Sequence, residues 1–275
     1  MISLGQTGSE IYLFDVKKEK GRFSISSPVN ITNHPGYDNQ PSFHSNKPVL
    51  YYSSFNEDGR SDIRSYNYQT GETKDITQTQ EREYSPTLTP DGKYLSCIIQ
   101  RDNDAQDMGK YPVDGGEPVT LIDNLVVGYH AWVDHDNVLL FVLGEPLTLR
   151  WRNLSTGEEK IWSENIGRSL HKIPKENAMS FVHKISDEVW MINQLDIETQ
   201  EIRALVPTLP GREDLVWTQD GKIIMSDGEK LFICNPKEGK QWTEIGMNTG
   251  NVSVHGITRL ALSNDGKKMA VVVSE

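Results

Sequence analysis

A unit of about 44 residues repeats along the whole chain. When the units are aligned on their first predicted buried strand, each contributes one apolar anchor residue. The anchors are Phe43, Leu88, Trp132, Ile173, Trp217 and Leu262, at intervals of 45, 44, 41, 44 and 45 residues. A repeat of roughly 40 to 45 residues with four strands is typical of a β-propeller blade. The repeat therefore predicts an all-β ring of blades.

The best-preserved unit shows how each predicted blade is built. Residues 84–88 form a short inner strand, a Pro-Asp-Gly turn follows at 90–92, and residues 94–99 return as an apolar strand too short for a helix. Residues 107–111 and 119–122 then give a third and a fourth strand. Proline presets φ for such a turn and glycine supplies the positive φ. Each unit is thus a four-stranded antiparallel blade.

The two ends of the chain complete each other. Residues 262–273 supply the end of an inner strand, an Asp-Gly turn and a second strand, while residues 10–15 are predicted as a third strand and 28–32 as a fourth. Pairing these ends closes the ring and removes open sheet edges. We therefore predict one six-bladed domain over the 275 residues, with a composite blade from 255–275 plus 1–34. The other five blades are predicted at about residues 37–78, 83–123, 128–165, 168–206 and 212–247.

Composition narrows the range of partners. The formal net charge is -11, which argues against nucleic acid because neutralising phosphates requires a basic face. No apolar run approaches the ~20 residues of a membrane span, and the start of the chain lacks the basic and apolar segments of a signal peptide. We expect a monomer with no nucleic-acid partner and no membrane span.

The loops that lead into the inner strands carry polar residues from every blade. In a propeller these loops meet at one mouth of the central channel, where convergent polar groups indicate ligand binding. The candidate ligand-binding residues are Asp38, Glu83, Tyr84, Tyr129, His130, Arg168, Ser169, His171, Arg212, Glu213, Asp214, His255 and Arg259. The structural alternative is a wet channel whose polar side chains bond one another and water.

Three of these histidines are candidate metal ligands. His130 and His171 each lie two residues before an anchor, so we predict equivalent positions and side chains that point the same way. His255 or Glu213 would supply the remaining ligand, as imidazoles and carboxylates do in open catalytic sites. No His-x-His or His-x-x-x-His spacing accompanies them. We therefore predict no cofactor, with a divalent metal as the alternative.

The sequence contains residues suited to a serine hydrolase and to calcium binding, but not the motifs that accompany them. Ser169, His171 and Asp214 are the residue types of a serine hydrolase, but the sequence has no Gly-x-Ser-x-Gly elbow. The acidic loops 56–62 and 101–104 offer oxygen ligands for calcium without the spacing of an established calcium loop. We interpret Ser169 as non-catalytic and both loops as solvated turns.

Three segments carry a family resemblance: Asp38–Phe43, Tyr84–Lys93 and Ile257–Gly266. They resemble the repeats of TolB-like propellers, a WD40-like family with a Ser-Pro-x-aromatic-x-Pro-Asp-Gly pattern. The resemblance implies a six-bladed, extracytoplasmic propeller that contacts proteins or peptides. The additional α/β domain of TolB itself has no counterpart here. The related oligogalacturonate lyases are similar in holding a divalent metal with histidines near the channel.

Two functions are compatible with these residues. In the first, a non-catalytic module takes a protein terminus, loop or peptide into a charged funnel at the mouth, with arginines clamping carboxylates. The funnel would be built from Arg168, Arg212, Glu213, Asp214 and Arg259. In the second, a metal-dependent lyase or hydrolase acts on an acidic oligosaccharide. The missing catalytic spacing favours a binding scaffold, which the resemblance places in the periplasm; a cytoplasmic location stays open.

Overall fold

The computed structural model describes residues 8–19 and 21–275, and all helical or strand structure in this part of the chain is β-strand. The chain begins with β1 (Ser9–Glu19) and β2 (Arg22–Asn30). The first complete blade consists of β3 (Asp38–Phe43), β4 (Val49–Phe55), β5 (Ser61–Asn67) and β6 (Glu72–Asp75). The second consists of β7 (Arg82–Leu88), β8 (Tyr94–Gln100), β9 (Gln106–Pro112) and β10 (Val119–Ile122).

Three more complete blades follow in the same strand order. The third consists of β11 (Val127–Trp132), β12 (Asn137–Val142), β13 (Thr148–Asn153) and β14 (Glu159–Glu164). The fourth consists of β15 (Ile166–Lys172), β16 (Ala178–Lys184), β17 (Trp190–Asp196) and β18 (Ile202–Pro207). The fifth consists of β19 (Leu215–Trp217), β20 (Ile223–Ser226), β21 (Leu231–Cys234) and β22 (Thr243–Glu244). The chain ends with β23 (Gly246–Asn248), β24 (Arg259–Leu262) and β25 (Lys268–Ser274).

The sixth blade joins the two ends of the chain and confirms the predicted closure of the ring. Its strands follow the order β24, β25, β1 and β2 from the channel outward. Strands β25 and β1 pair antiparallel in a register that runs from Ser9 opposite Ser274 to Asp15 opposite Lys268. The predicted composite blade also included residues 1–7, which lie outside the described residues.

The closing blade differs from the sequence prediction in two ways. Strands β1 and β2 form a longer hairpin than the predicted 10–15 and 28–32, with Gly21 at φ 79° beside the turn. Strand β23 pairs parallel with β2, Gly246 lying opposite Ser24, and adds a fifth strand that the repeat does not predict. The outer strand β22 has only two residues, so the chain leaves the fifth blade early and joins its neighbour.

Hydrophobic packing lies between the blades. Six clusters of buried side chains occur, and each draws its members from two neighbouring blades around the ring. The cluster of the first and second blades, for example, joins Tyr51 and Ile63 to Leu95, Cys97 and Tyr111. The described residues include no helix of the length and apolarity needed to cross a membrane.

The predicted Pro-Asp-Gly turn forms as expected. Asp91 Oδ1 accepts hydrogen bonds from Thr89 Oγ1 at 2.6 Å and from the Lys93 amide at 3.0 Å. Gly92 has φ 68° and donates its amide to the Thr89 carbonyl at 2.8 Å. A positive φ costs glycine little because it has no Cβ. This turn directs each inner strand back into the second strand of its blade.

Candidate functional site

Six side chains at matching positions of the inner strands, one from each blade, line a central channel of about 410 Å³. They are Gln40, Ser85, Tyr129, Ser169, Asp214 and Arg259. In five blades this position lies three residues before the predicted anchor. We use "mouth" for the end of the channel at which the inner strands begin.

Two indole hydrogen bonds define the register between neighbouring blades. Trp132 Nε1 donates to Ser96 Oγ of the preceding blade at 2.8 Å. Trp217 Nε1 donates to Ser180 Oγ of its preceding blade, also at 2.8 Å. Ser96 and Ser180 are therefore equivalent positions on their second strands. Both tryptophans serve blade-to-blade packing, as buried indoles with a satisfied N–H do.

This register corrects the predicted equivalence of two histidines. Ser96 pairs with Thr87, whereas Ser180 pairs with His171. His171 therefore lies one residue before its anchor position, while His130 lies two residues before its own. Because successive side chains of a strand point to opposite faces, the two imidazoles are not related by the repeat. The predicted anchor of the fourth blade, Ile173, therefore lies one residue past the position equivalent to the other anchors.

A chain of charged hydrogen bonds crosses the channel. Arg168 donates from Nε and Nη2 to the two carboxylate oxygens of Asp214, at 3.2 and 2.7 Å. Arg259 donates to the same carboxylate and, from Nη2, to the Tyr129 hydroxyl at 2.7 Å. Tyr129 belongs to the third blade and Arg259 to the closing blade. These blades stand opposite each other in a six-bladed ring, so the bond between them spans the channel.

Gln40 extends this network from the first blade. Its Nε2 donates to the Tyr129 hydroxyl at 3.4 Å, and its Oε1 accepts from the Ser85 amide at 2.7 Å. Gln40 and Ser85 both precede a proline, lie at bulges in the ladder and have φ 56°. Two residues in strained backbone conformations thus position the same part of the hydrogen-bond network. We call the whole network the diaphragm; its members are Gln40, Tyr129, Arg168, Asp214 and Arg259.

The diaphragm separates two cavities. Toward the mouth lies a pocket of about 660 Å³, and beyond the diaphragm lies the channel itself. Four members of the diaphragm line both spaces: Gln40, Tyr129, Arg168 and Arg259. We call the larger space the mouth pocket. Its position is where the sequence predicts the ligand.

The diaphragm carries a surplus positive charge. Burial disfavours the charge of Arg168, but its hydrogen bonds to Asp214 and the charge of that carboxylate outweigh burial, and the pKa of Arg168 is raised. Arg168 and Arg259 share the Asp214 carboxylate, and Arg168 Nε also lies 3.6 Å from Glu213 Oε1. Because Lys184 pairs with the same Glu213, three cations and two carboxylates leave one surplus positive charge. Burial also raises the pKa of the Tyr37 phenol at the wall of the pocket, so this hydroxyl stays neutral and can donate a hydrogen bond.

The similarity of this chain to known proteins lies in its fold. No protein-family model and no curated protein matches the sequence. A putative TolB from Agrobacterium tumefaciens superposes with a TM-score of 0.72 and 12% identity, covering 98% of this chain and 99% of that one. TolB from Acinetobacter baumannii superposes with a TM-score of 0.61 and 14% identity, covering 98% of this chain and 65% of that one. The fold is that of a TolB propeller.

The TolB-like fold is shared with an enzyme of known structure. An oligogalacturonate lyase in complex with manganese superposes with a TM-score of 0.60 and 15% identity. The match covers 92% of this chain and 83% of the lyase. Fold alone does not determine function, so the side chains of this TolB-like propeller must decide between the two predicted activities.

Two of the three predicted arginines meet in the diaphragm and the third does not. Arg212 donates to the backbone carbonyl of Asp227 and lines a side pocket of about 110 Å³, which Arg168, Glu213 and Asp214 line as well. Glu213 contacts both Arg168 and Lys184. Its Oε2 accepts a hydrogen bond from the Arg168 amide at 3.0 Å and pairs with Lys184 Nζ at 3.2 Å. The charged funnel at the mouth pocket therefore contains two of the three predicted arginines.

Two candidate metal ligands of this TolB-like propeller, His130 and His171, both line the channel. Burial lowers the pKa of both His130 and His171 to about 4, so both imidazoles are neutral at pH 7. His130 Nε2 is hydrogen-bonded to Ser96 Oγ at 2.6 Å, whereas His255 is exposed and lines neither the channel nor the mouth pocket. Within residues 8–19 and 21–275, no three His, Cys, Asp or Glu side chains are placed to hold a metal. The predicted histidine set does not fit a metal centre.

The hydrolase residues do not form a triad. Ser169 Oγ and His171 Nε2 are hydrogen-bonded at 2.9 Å on one strand, and Ser169 Oγ also accepts from the Leu215 amide at 3.2 Å. Asp214 is held by two arginines, so its carboxylate does not orient the imidazole as a triad requires. Ser169 therefore reads as a structural residue.

Asp38 and Glu83 lie behind the wall of the mouth pocket. Both are fully buried, five residues before their anchors. Burial raises the pKa of Asp38 to about 6, and burial together with nearby Asp62 raises the pKa of Glu83 to about 7. Glu83 Oε1 accepts from Tyr111 Oη at 2.9 Å. Tyr84, the residue after Glu83, lines the pocket as predicted.

Sequence reasoning missed three features of the site. Gln40 shares the repeat position of Tyr129, Asp214 and Arg259, so aligning the inner strands would have identified it. Lys184 pairs with Glu213 from a hairpin tip, which no sequence pattern indicates. The third feature is a pair of exposed apolar side chains in the mouth pocket, Val126 and Leu143, which a search for polar residues does not find.

Proposed function

We propose that this chain is a non-catalytic, TolB-like binding module that holds an anionic segment of a protein or peptide at the channel mouth. The observation that carries the proposal is the pair Arg168 and Arg259, which face the mouth pocket from different blades. An arginine has five N–H donors, and the diaphragm uses two from each of these side chains. The others are available to a ligand carboxylate in a bidentate arrangement.

The size and chemistry of the mouth pocket support this proposal. About 660 Å³ lies within the range of ligand pockets that bury most of a bound molecule. The resemblance of the repeats to TolB-like propellers favours a protein or peptide as the partner. It also favours an extracytoplasmic location, which cell fractionation of a tagged natural form would test.

Display of random ten-residue peptides to the purified chain tests the proposal. We expect the wild type to enrich peptides with an acidic group, and Arg168→Ala with Arg259→Ala to weaken their binding at least tenfold, because a lost partner leaves a charge unpaired. Arg152→Ala is the matched control, since Arg152 is similarly half-buried and pairs with Glu159 at 2.9 Å away from the pocket. Thermal unfolding verifies that each variant is folded. Equal binding by the double variant and the control would exclude this site.

A metal-dependent enzyme acting on an acidic oligosaccharide is the second candidate. Its support is the likeness to the manganese-bound oligogalacturonate lyase. Against it stands the position of His255, which does not line the channel that contains His130 and His171. Elemental analysis after soaking with manganese decides the matter: stoichiometric metal that is lost in His130→Ala and His171→Ala would favour the enzyme over the binding module.

A further inference from the structure

The mouth pocket ends blindly at the diaphragm. The bond between Tyr129 and Arg259 spans opposite blades, while Gln40, Arg168 and Asp214 occupy the space beside it. An extended peptide therefore cannot pass from the mouth pocket into the channel while the diaphragm is formed. A ligand that reaches the floor of the pocket must present an end.

The charge at the floor of the pocket determines whether a carboxyl or an amino terminus binds there. Arg168, Arg259 and Lys184 are paired with only two carboxylates, Asp214 and Glu213, which leaves one surplus positive charge beside the floor. The exposed Asp104 carboxylate lines the pocket from the hairpin between β8 and β9. A free amino terminus would bring another cation to the floor, and like charges at close range are unfavourable. A terminal carboxylate has two oxygens in one plane, which match the planar fork of a guanidinium. The floor thus favours a carboxyl terminus.

One wall of the pocket is apolar. Val126 and Leu143 line it with 41% and 37% of their surface exposed, and the Leu143 amide donates to the Val126 carbonyl at 2.9 Å. Behind them Phe141 packs over Gly128, where an added Cβ would come within 2.8 Å of the ring. Single exposed apolar residues are ordinary, but here two adjacent ones face the same cavity as the arginines. The wall is suited to a large apolar side chain.

We infer that the mouth pocket binds the carboxyl-terminal end of a partner chain whose last residue is large and apolar. The terminal carboxylate lies on the guanidinium floor of Arg168 and Arg259, and the last side chain packs against Val126 and Leu143. The neutral hydroxyl of Tyr37, also in the wall, can donate to the backbone of the preceding residue. This inference rests on the proposed function and narrows its ligand from any anionic segment to a chain end.

Two peptide libraries with the same random ten-residue segment test the inference. One has a free carboxyl terminus and the other a carboxyl-terminal amide, and both are attached through the amino terminus. We expect enrichment in the free-carboxylate library alone, with Leu, Ile, Phe or Met as the last residue. Fluorescence anisotropy of individual enriched peptides should show an affinity loss of at least tenfold on amidation.

Variants of the wall provide a second, independent readout. Val126→Ser with Leu143→Ser should weaken the enriched peptides about fivefold or more, because the buried apolar area is lost. Ile185→Ser is the matched control, since Ile185 is 59% exposed on a hairpin that does not line the pocket. A wall variant that binds as tightly as this control would overturn the inference.

The possible outcomes separate the two proposals. Equal enrichment from the free and amidated libraries, still abolished by the Arg168→Ala and Arg259→Ala pair, would reject the chain end and retain the proposed function. No enrichment from either library would reject both. Enrichment that depends on the free carboxylate and on the wall supports the inference.

Discussion

Glu83 and Asp62 form a buried acid pair that joins the first and second blades. The Thr77 hydroxyl lies between them, 3.0 Å from Asp62 Oδ1 and 3.4 Å from Glu83 Oε2. The Ser61 hydroxyl adds a bond across the same interface, donating to the Glu83 carbonyl at 3.0 Å. A carboxylate at Glu83 would be costly in these surroundings, so the group holds its proton to an unusually high pH.

The contribution of Glu83 to folding stability should therefore fall as pH rises. The pKa of Glu83 is about 7 in the folded chain and 4.5 ordinarily, so between these values the folded state binds a proton that the unfolded state releases. The stabilisation is complete below pH 4.5 and lost by pH 7, and it amounts to about 3 kcal/mol. Glu83→Gln should remove this contribution alone, so the free energy of unfolding of the variant should rise more, or fall less, with pH than that of the wild type. The neutral His130 and His171 contribute a slope of opposite sign in both proteins. Urea titrations from pH 4.5 to 7.5 measure it.

The exposed Glu117 provides the control for this prediction. Glu117→Gln should leave the slope of stability against pH as it is in the wild type. A Glu83→Gln variant with that same slope would show that Glu83 is not the group responsible.

Strand alternation and its interruption by a bulge explain which individual site residues were predictable. The sequence places Glu83 and Tyr84 together at the mouth, but neighbouring side chains of a strand face opposite ways. Tyr84 faces the pocket and Glu83 faces the interior. Alternation counted back from the channel position at Ser85 would have placed Glu83 in the pocket instead of Tyr84, because Glu83 and Ser85 are two residues apart. The bulge at Ser85 interrupts the alternation and reverses this assignment. The pairing of Lys184 with Glu213 depends on tertiary packing and could not be foreseen.

At the scale of the element, the Asp-Gly turns can be tested by one substitution. Gly92 has φ 68° with no neighbouring atom within 4 Å of an added Cβ, so Gly92→Ala introduces backbone strain without a clash. We expect a loss of about 1 kcal/mol in the free energy of unfolding, measured with urea. Gly246→Ala is the control, since a Cβ there meets Ser24 Cβ at an ordinary 3.6 Å. A loss at Gly246 as large as that at Gly92 would contradict the explanation.

Strands were predictable where the repeat is regular. The Pro-Asp-Gly turn and its flanking strands in the second blade formed as predicted because local turn chemistry and hydrophobic pattern agree there. The fourth blade was placed one residue out of register because Lys172 occupies the position equivalent to the other anchors, while the apolar residue is its neighbour Ile173. Strand β23 was not predicted because its parallel pairing with β2 depends on how two blades pack.

At the scale of the whole molecule, the last strand should be indispensable. Removing residues 268–275 takes β25 from between β24 and β1, and with it Met269, Val271 and Val273 from one interface cluster and Ala270 and Val272 from another. We expect the shortened chain to aggregate or to lose its cooperative thermal transition. Deleting Glu275 alone leaves β25 in place and should give a folded monomer. Size-exclusion chromatography and thermal unfolding of both forms provide the comparison, and a folded shortened chain would refute the role of closure.

Closure of the ring also governs how fast the molecule can come apart. In an open array of repeats the terminal units have one neighbour and detach first. Here every blade is packed between two others through the interface clusters. Unfolding then has no frayed end from which to begin, and its first step must break an intact interface. Persistence in a protease-rich environment would consequently be set by a slow opening rate rather than by equilibrium stability.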